Sequence, residues 1–208
     1  MNEFTNLKVD DFLDRIAGRT PTPGGGAVAA ASGALACAMG CMVAAYSIGK
    51  KTEPTKRARV ESALERLARA DRAMRRLIAE DAAAYTRLTE AAKDVTESES
   101  AKPVHQAALA TAILVPLEMM ALASETLAVL DEFKEDASGY LLSDLGVAAV
   151  LAEATARAAC YSVLVNLRDL QQVEDRRHTH AEVAHLLDRS SRHRKSIEDF
   201  VSPLLGEK

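Results

Sequence analysis

Apolar positions along the chain recur at helical spacing nearly everywhere, and no run of alternating β-branched residues reaches a useful strand length. The pattern predicts an all-α protein. A short first helix over residues 9–18 stops at Thr20-Pro21-Thr22-Pro23-Gly24-Gly25-Gly26, where two prolines and three glycines cannot continue it. An uncharged helix over 27–48 follows, and Gly49, Lys50-Lys51 and Pro54 mark a stop and restart. The third helix spans 55–92. In it Val60, Leu64, Leu67, Asp71, Met74, Ile78, Asp81, Tyr85, Leu88 and Ala92 form an unbroken heptad seam, interrupted in character only by two aspartates. Arg59, Glu65, Arg66, Arg69, Arg76 and Arg87 lie on the opposite, wet face. A polar loop over 93–101 leads to a fourth helix, 103–130, with Pro116 at an expected kink. Ser143 caps a fifth helix ending near 171, with Asp144 in its first turn, and a sixth covers 179–204. With no repeat or linker, residues 1–208 read as one six-helix bundle. Its heptad seam and small-residue helix leave more sticky surface than one protomer covers, so a homodimer or higher oligomer is expected.

Composition sharpens the picture in two places. Alanine reaches 39 of 208 residues, which favours closely packed helices. A net charge of −4 with no Trp argues against a nucleic-acid partner, since phosphate neutralisation needs a clustered basic surface. Residues 27–48 are long enough to cross a bilayer, but Ala, Gly, Ser and Cys make transfer marginal, so a buried helix and no membrane partner are expected. Cys37, Cys41 and Cys160 lie in apolar surroundings without paired spacing and read as reduced core residues of a cytoplasmic protein. The acidic N-terminus does not resemble an export signal.

Asp81 is the leading candidate for chemistry. A carboxylate on an apolar seam is costly unless paired, and burial raises its proton affinity toward the range useful for acid/base work. The same spacing also accommodates a structural Asp paired with an Arg of a neighbouring helix, or a seam that fades into solvent. Asp71 shares the geometry with a weaker case. Gly24, Gly25 and Gly26 open a helix whose N–H groups suit an anionic or oxygen-rich ligand, or simply permit a sharp turn. Ser143 and Asp144 read as a plain cap, or Asp144 as an acceptor for an amino-pyrimidine ring. Lys50 can hold a carboxylate tail or be solvated at a helix end. His178, His180 and His185 do not stack on one helix face, so no metal site is expected, and His105 reads as a surface residue. Asn166, polar in a buried run, is assigned to a helix-helix contact.

The segments Phe12-Leu13-Asp14, the PTPGGG turn, Ile48-Gly49-Lys50-Lys51, Asp81-Ala82-Ala83-Ala84-Tyr85, Val115-Pro116-Leu117, Ser143-Asp144-Leu145-Gly146-Val147-Ala148-Ala149 and Val165-Asn166-Leu167-Arg168-Asp169-Leu170 occur in the order of one family. The chain resembles the cyclodeaminase domain of formiminotransferase-cyclodeaminase and its stand-alone relative, methenyltetrahydrofolate cyclohydrolase. The resemblance implies an all-helical dimer with a folate pocket near the subunit interface, a tetrahydrofolate derivative as substrate, and no prosthetic group. It implies Asp81 as general acid/base, with Gly24, Gly25, Gly26, Ser143 and Asp144 lining the pocket and Lys50 on the glutamate tail. Residues 93–102 and 139–142 depart from the family pattern, which leaves open another small-molecule substrate. A non-catalytic helical dimer that binds a ligand or partner is the reading from a different class.

Overall fold

The computed structural model describes residues 6–97 and 99–206. Six α-helices carry the chain: α1 (Val9–Ala17), α2 (Gly25–Tyr46), α3 (Pro54–Glu97), α4 (Lys102–Phe133), α5 (Leu142–Leu167) and α6 (Val173–Val201). The all-α bundle expected from periodicity is what forms. The boundaries differ where polar residues still fit a helix: α3 runs into the stretch expected to be a loop as far as Glu97, and α6 begins six residues earlier than its apolar pattern suggests, while α4 holds Pro116 in its interior as expected. Ser143 is not the cap of α5. The helix starts at Leu142, so Ser143 already lies inside the first turn and no side chain caps the end.

The central element is α2. It packs between α3 and α5 and also touches α4, while α6 covers α4 and α5. The close approach of α3 is set by a glycine every seventh residue. A Cβ at Gly26 would overlap the Asp81 carboxylate, one at Gly33 would press on the Met74 thioether, and one at Gly40 would meet Leu130 and Leu67. Residues 67, 74 and 81 are themselves seven apart, so the glycine row of α2 meets the heptad seam of α3 in antiparallel register. The upper part of the seam is interior, with Val60, Leu67 and Met74 fully buried, whereas Tyr85 emerges into solvent.

The supposed wet face of α3 is partly an ion-paired flank. Arg59 forks onto Asp136 at 2.7 and 2.9 Å, Arg66 reaches Glu125 at 2.6 Å and also pairs with Glu132, and Arg76 meets Glu118 at 2.7 Å. The acidic partners descend in number as the arginines ascend, the signature of antiparallel α3 and α4. Asp71, the second seam aspartate, is held by Arg75 on its own helix at 2.8 Å. Cys37 is buried with its thiol 3.4 Å from the Thr126 hydroxyl, and burial pushes its pKa up to about 12, consistent with a neutral packing residue.

Three helical stretches, Gly25–Tyr46, Glu99–Asp136 and Gly139–Leu167, are long and apolar enough to cross a membrane by length and composition, where the sequence reading singled out only the first. Here their apolar faces build the two interior clusters of the bundle.

Candidate active site

The first turn of α2 has no side-chain cap, because its N-cap residue is Gly24. Its orphan donors must find acceptors elsewhere. The Ala27 N–H donates to the Asp81 carboxylate, so a side chain from the middle of α3 acts as a long-range cap. Gly26 makes this possible, since any side chain there would occupy the carboxylate's place.

Asp81 is partly buried, and no Lys, Arg or His pairs with it among the described residues. Burial pushes its pKa above the ordinary carboxylate value, and the hydrogen bond from Ala27 only partly offsets this. The salt-bridged and solvated alternatives for Asp81 therefore do not describe it. The carboxylate lines a cavity of about 350 Å³, near the lower end of ligand pockets. Around it stand Thr22, Gly24, Gly25 and Gly26 from the turn and α2, Tyr85 one turn beyond Asp81, and Ser162 and Asn166 from α5. The Thr22–Pro23 peptide bond in this wall is cis. The arrangement sets a carboxyl group of raised pKa at one end, helix N–H groups beside it and a half-exposed phenol ring as a flat face.

Residues 8–185 match the formiminotransferase-cyclodeaminase family. The chain belongs to this family. Methenyltetrahydrofolate cyclohydrolase of Methylorubrum extorquens is 34% identical over 169 residues, spanning 79% of this chain and 81% of that protein. The formimidoyltransferase-cyclodeaminase of Gallus gallus is 28% identical over 181 residues, which cover 85% of this chain but 34% of that longer protein. In structure, formiminotetrahydrofolate cyclodeaminase from Thermotoga maritima superposes with a TM-score of 0.90 at 27% identity, over 98% of this chain and 100% of that one.

Within the cyclodeaminase fold the residues expected to share one pocket fall into two groups. Asp81 and the three glycines come together as anticipated. Lys50, Ser143 and Asp144 do not join them in the same chain. Lys50 lies in an open depression with Gly49, Lys51, Thr52 and Lys56, past the far end of α2. The segment before Ser143 is tied to that same end, because the Ser138 N–H donates to the Ser47 hydroxyl at 2.9 Å. Asp144 and Ser162 are 18 residues apart on α5, which is about 27 Å at 1.5 Å per residue. Of the other polar side chains on the cavity wall, the sequence singles out none of Thr22, Tyr85 and Ser162 as a ligand contact, and assigns Asn166 only to a helix-helix contact. Tyr85 was legible, since it follows Asp81 by one turn on the same face, whereas Ser162 is an ordinary interior serine until α5 is placed against α2.

Proposed function

We propose that this chain is a folate one-carbon enzyme that forms or opens the 5,10-methenyl bridge of tetrahydrofolate, as formiminotetrahydrofolate cyclodeaminase or methenyltetrahydrofolate cyclohydrolase. The observation that carries this reading is the Asp81 carboxylate, unpaired with any cation among the described residues and facing a cavity in a chain of this family. Both reactions pass a proton to or from a nitrogen or a water next to a one-carbon centre, and both hold positive charge on the bridge. A raised carboxylate at the end of a helix can do both: it takes the proton from the attacking group, returns it to the leaving nitrogen, and stands as counter-charge to the cation.

A cavity of this size suits the bicyclic ring of a reduced folate, with the tail leaving through the mouth. The tail then needs a cation outside the chain's own cavity. The outward faces of α2 and α5 supply the route, with Val28, Leu35, Val147, Val150, Tyr161 and Val165 exposed along them, and Leu35 62% and Val165 55% accessible. A second copy laid antiparallel on this face covers the apolar stripe and brings its Lys50 and Asp144 end toward the Asp81 cavity. The enzyme acts in this reading as a cytoplasmic homodimer, with the second copy, not lipid, covering the stripe.

The test is to mix purified protein with 5,10-methenyltetrahydrofolate and follow its absorbance decay against buffer, with ammonia release from 5-formiminotetrahydrofolate measured in parallel. Acceleration of either reaction, lost in Asp81→Asn, is the expected result. Wild-type protein that accelerates neither would overturn the assignment.

A further inference from the structure

Pro116 lies inside α4 and has no N–H, so the carbonyl of Ala112, four residues earlier, loses the donor that an ordinary helix would provide. Asn166 of α5 replaces it: Nδ2 donates to the Ala112 oxygen at 3.0 Å. A carbonyl can only accept, so this bond orients the carboxamide, with Nδ2 on α4 and Oδ1 turned away from it. Ala112 and Asn166 both line the Asp81 cavity. The Oδ1 atom has no hydrogen-bond partner among the described residues. Proline in one helix thus locks an amide of the next, and the locked amide lies on the wall of the cavity that Asp81 also lines, its oxygen left free to accept.

We infer that Asn166 orients the substrate by accepting a hydrogen bond at Oδ1 from a ring N–H of the reduced pterin, and that the Pro116 gap on α4 is what holds the amide in that pose. The inference rests on the folate reading above. Charge explains the residue type. A second carboxylate in so small a cavity would couple to Asp81 and drive both proton affinities apart, whereas an amide oxygen reads an N–H donor without disturbing the acid/base group. A free asparagine could present either end to the ring; one committed to Ala112 cannot.

The structural and binding roles separate in a cycle of Asn166→Ala, Pro116→Ala and the double variant. Alanine at 116 returns an N–H to the Ala112 carbonyl from within α4, and Pro116 itself does not line the cavity. Each protein is melted by circular dichroism, titrated calorimetrically with 5-formyltetrahydrofolate, and assayed for KM and kcat on 5,10-methenyltetrahydrofolate. Asn166→Ala is expected to melt earlier and to bind the folate about 10- to 100-fold more weakly, the usual effect of losing one oriented hydrogen bond to a ligand. Pro116→Ala, which gives the Ala112 carbonyl a donor from its own helix and releases the amide, is expected to keep its melting temperature but to bind the folate several-fold more weakly, between wild type and Asn166→Ala; wild-type binding in this variant would show that the Pro116 gap does not hold the amide. The double variant regains its melting temperature but keeps the weakened Kd and raised KM. If Asn166→Ala folds poorly, Asn166→Leu in the Pro116→Ala background gives the same reading with the volume retained. A double variant with wild-type Kd and KM overturns the inference alone. Wild-type protein that neither binds 5-formyltetrahydrofolate nor turns over the methenyl compound overturns the folate reading and this inference with it.

Discussion

Gly26 and Asp81 are complementary: the absent side chain of the one is the space filled by the carboxylate of the other. The pair lies at the end of a row in which Gly33 admits Met74 and Gly40 admits Leu67, so the same antiparallel register that packs α2 on α3 delivers an acid to the first turn of α2.

Replacing Gly26 by Ala therefore removes the acid from its place without altering it chemically. Turnover of 5,10-methenyltetrahydrofolate is expected to fall about 100-fold or more, the scale of a displaced proton-transfer group, with a lower melting temperature because the Ala27 N–H loses its acceptor. Gly25→Ala is the control. Nothing stands within 4 Å of a Cβ there, so stability is retained and at most KM changes. Equal behaviour of the two variants would show that the contact does not position Asp81.

Asp81→Asn separates activity from stability. Burial holds the Asp81 pKa above its ordinary value, so the folded chain binds this proton more tightly than the unfolded chain does. The group favours folding below its ordinary pKa and loses that contribution as pH rises through the folded value. At neutral pH the ionised carboxylate is a net cost, and asparagine keeps an oxygen for the Ala27 N–H. The variant is expected to melt no earlier than wild type at pH 7, with any gain shrinking toward acid pH, while activity falls about 100-fold or more. A variant that melts well below wild type at neutral pH would make Asp81 chiefly a structural cap.

A site shared between copies has a signature that no single-chain site can produce. Lys50→Ala and Asp81→Asn each weaken turnover alone. Mixed and allowed to exchange subunits, they are expected to recover activity, because each heterodimer then holds one site with both residues intact. Light scattering should give twice the chain mass. Unchanged activity on mixing would place tail binding within one chain or elsewhere.

Acid stability should depend on the junction of α4 and α6. Burial pushes the Asp131 carboxyl up, but hydrogen bonds from Lys134 at 2.7 Å, His193 at 2.8 Å and Ser196 outweigh it and hold the pKa below the ordinary value. Such a group stabilises the fold above its unfolded pKa, and the contribution is lost as pH falls through the lower folded value. Asp131→Asn is expected to lower the melting temperature at pH 7, with the gap to wild type closing in the most acidic buffers. A gap that is constant with pH would assign the loss to packing.

His193 is also the histidine that sequence reading passed over. It is a half-buried partner of Asp131 beside Lys134 and Ser196, and nothing in its neighbours along α6 marks it. Asp81, by contrast, was visible because a charge on a heptad seam breaks a pattern. The glycine row at 26, 33 and 40 was equally periodic, but its meaning needed a facing helix: a missing side chain is information only when something fills the gap. Ser143 was misread as a cap because a serine before an apolar run looks the same whether the helix starts at it or one residue before it.

Periodicity and composition by themselves determined that the chain is helical, that α3 turns one stripe inward, and that an acid lies on that stripe, because these follow from local spacing and the cost of burying charge. Only the packing of α2, α3, α4 and α5 decided that Asp81 faces a cavity, that Asn166 answers the gap left by Pro116, and that Lys50 and Asp144 stand at the opposite end from the acid they were expected to join. Helix spacing reports which way a side chain points along its own axis. What it points at is set by the register between helices, a long-range property that no local pattern contains.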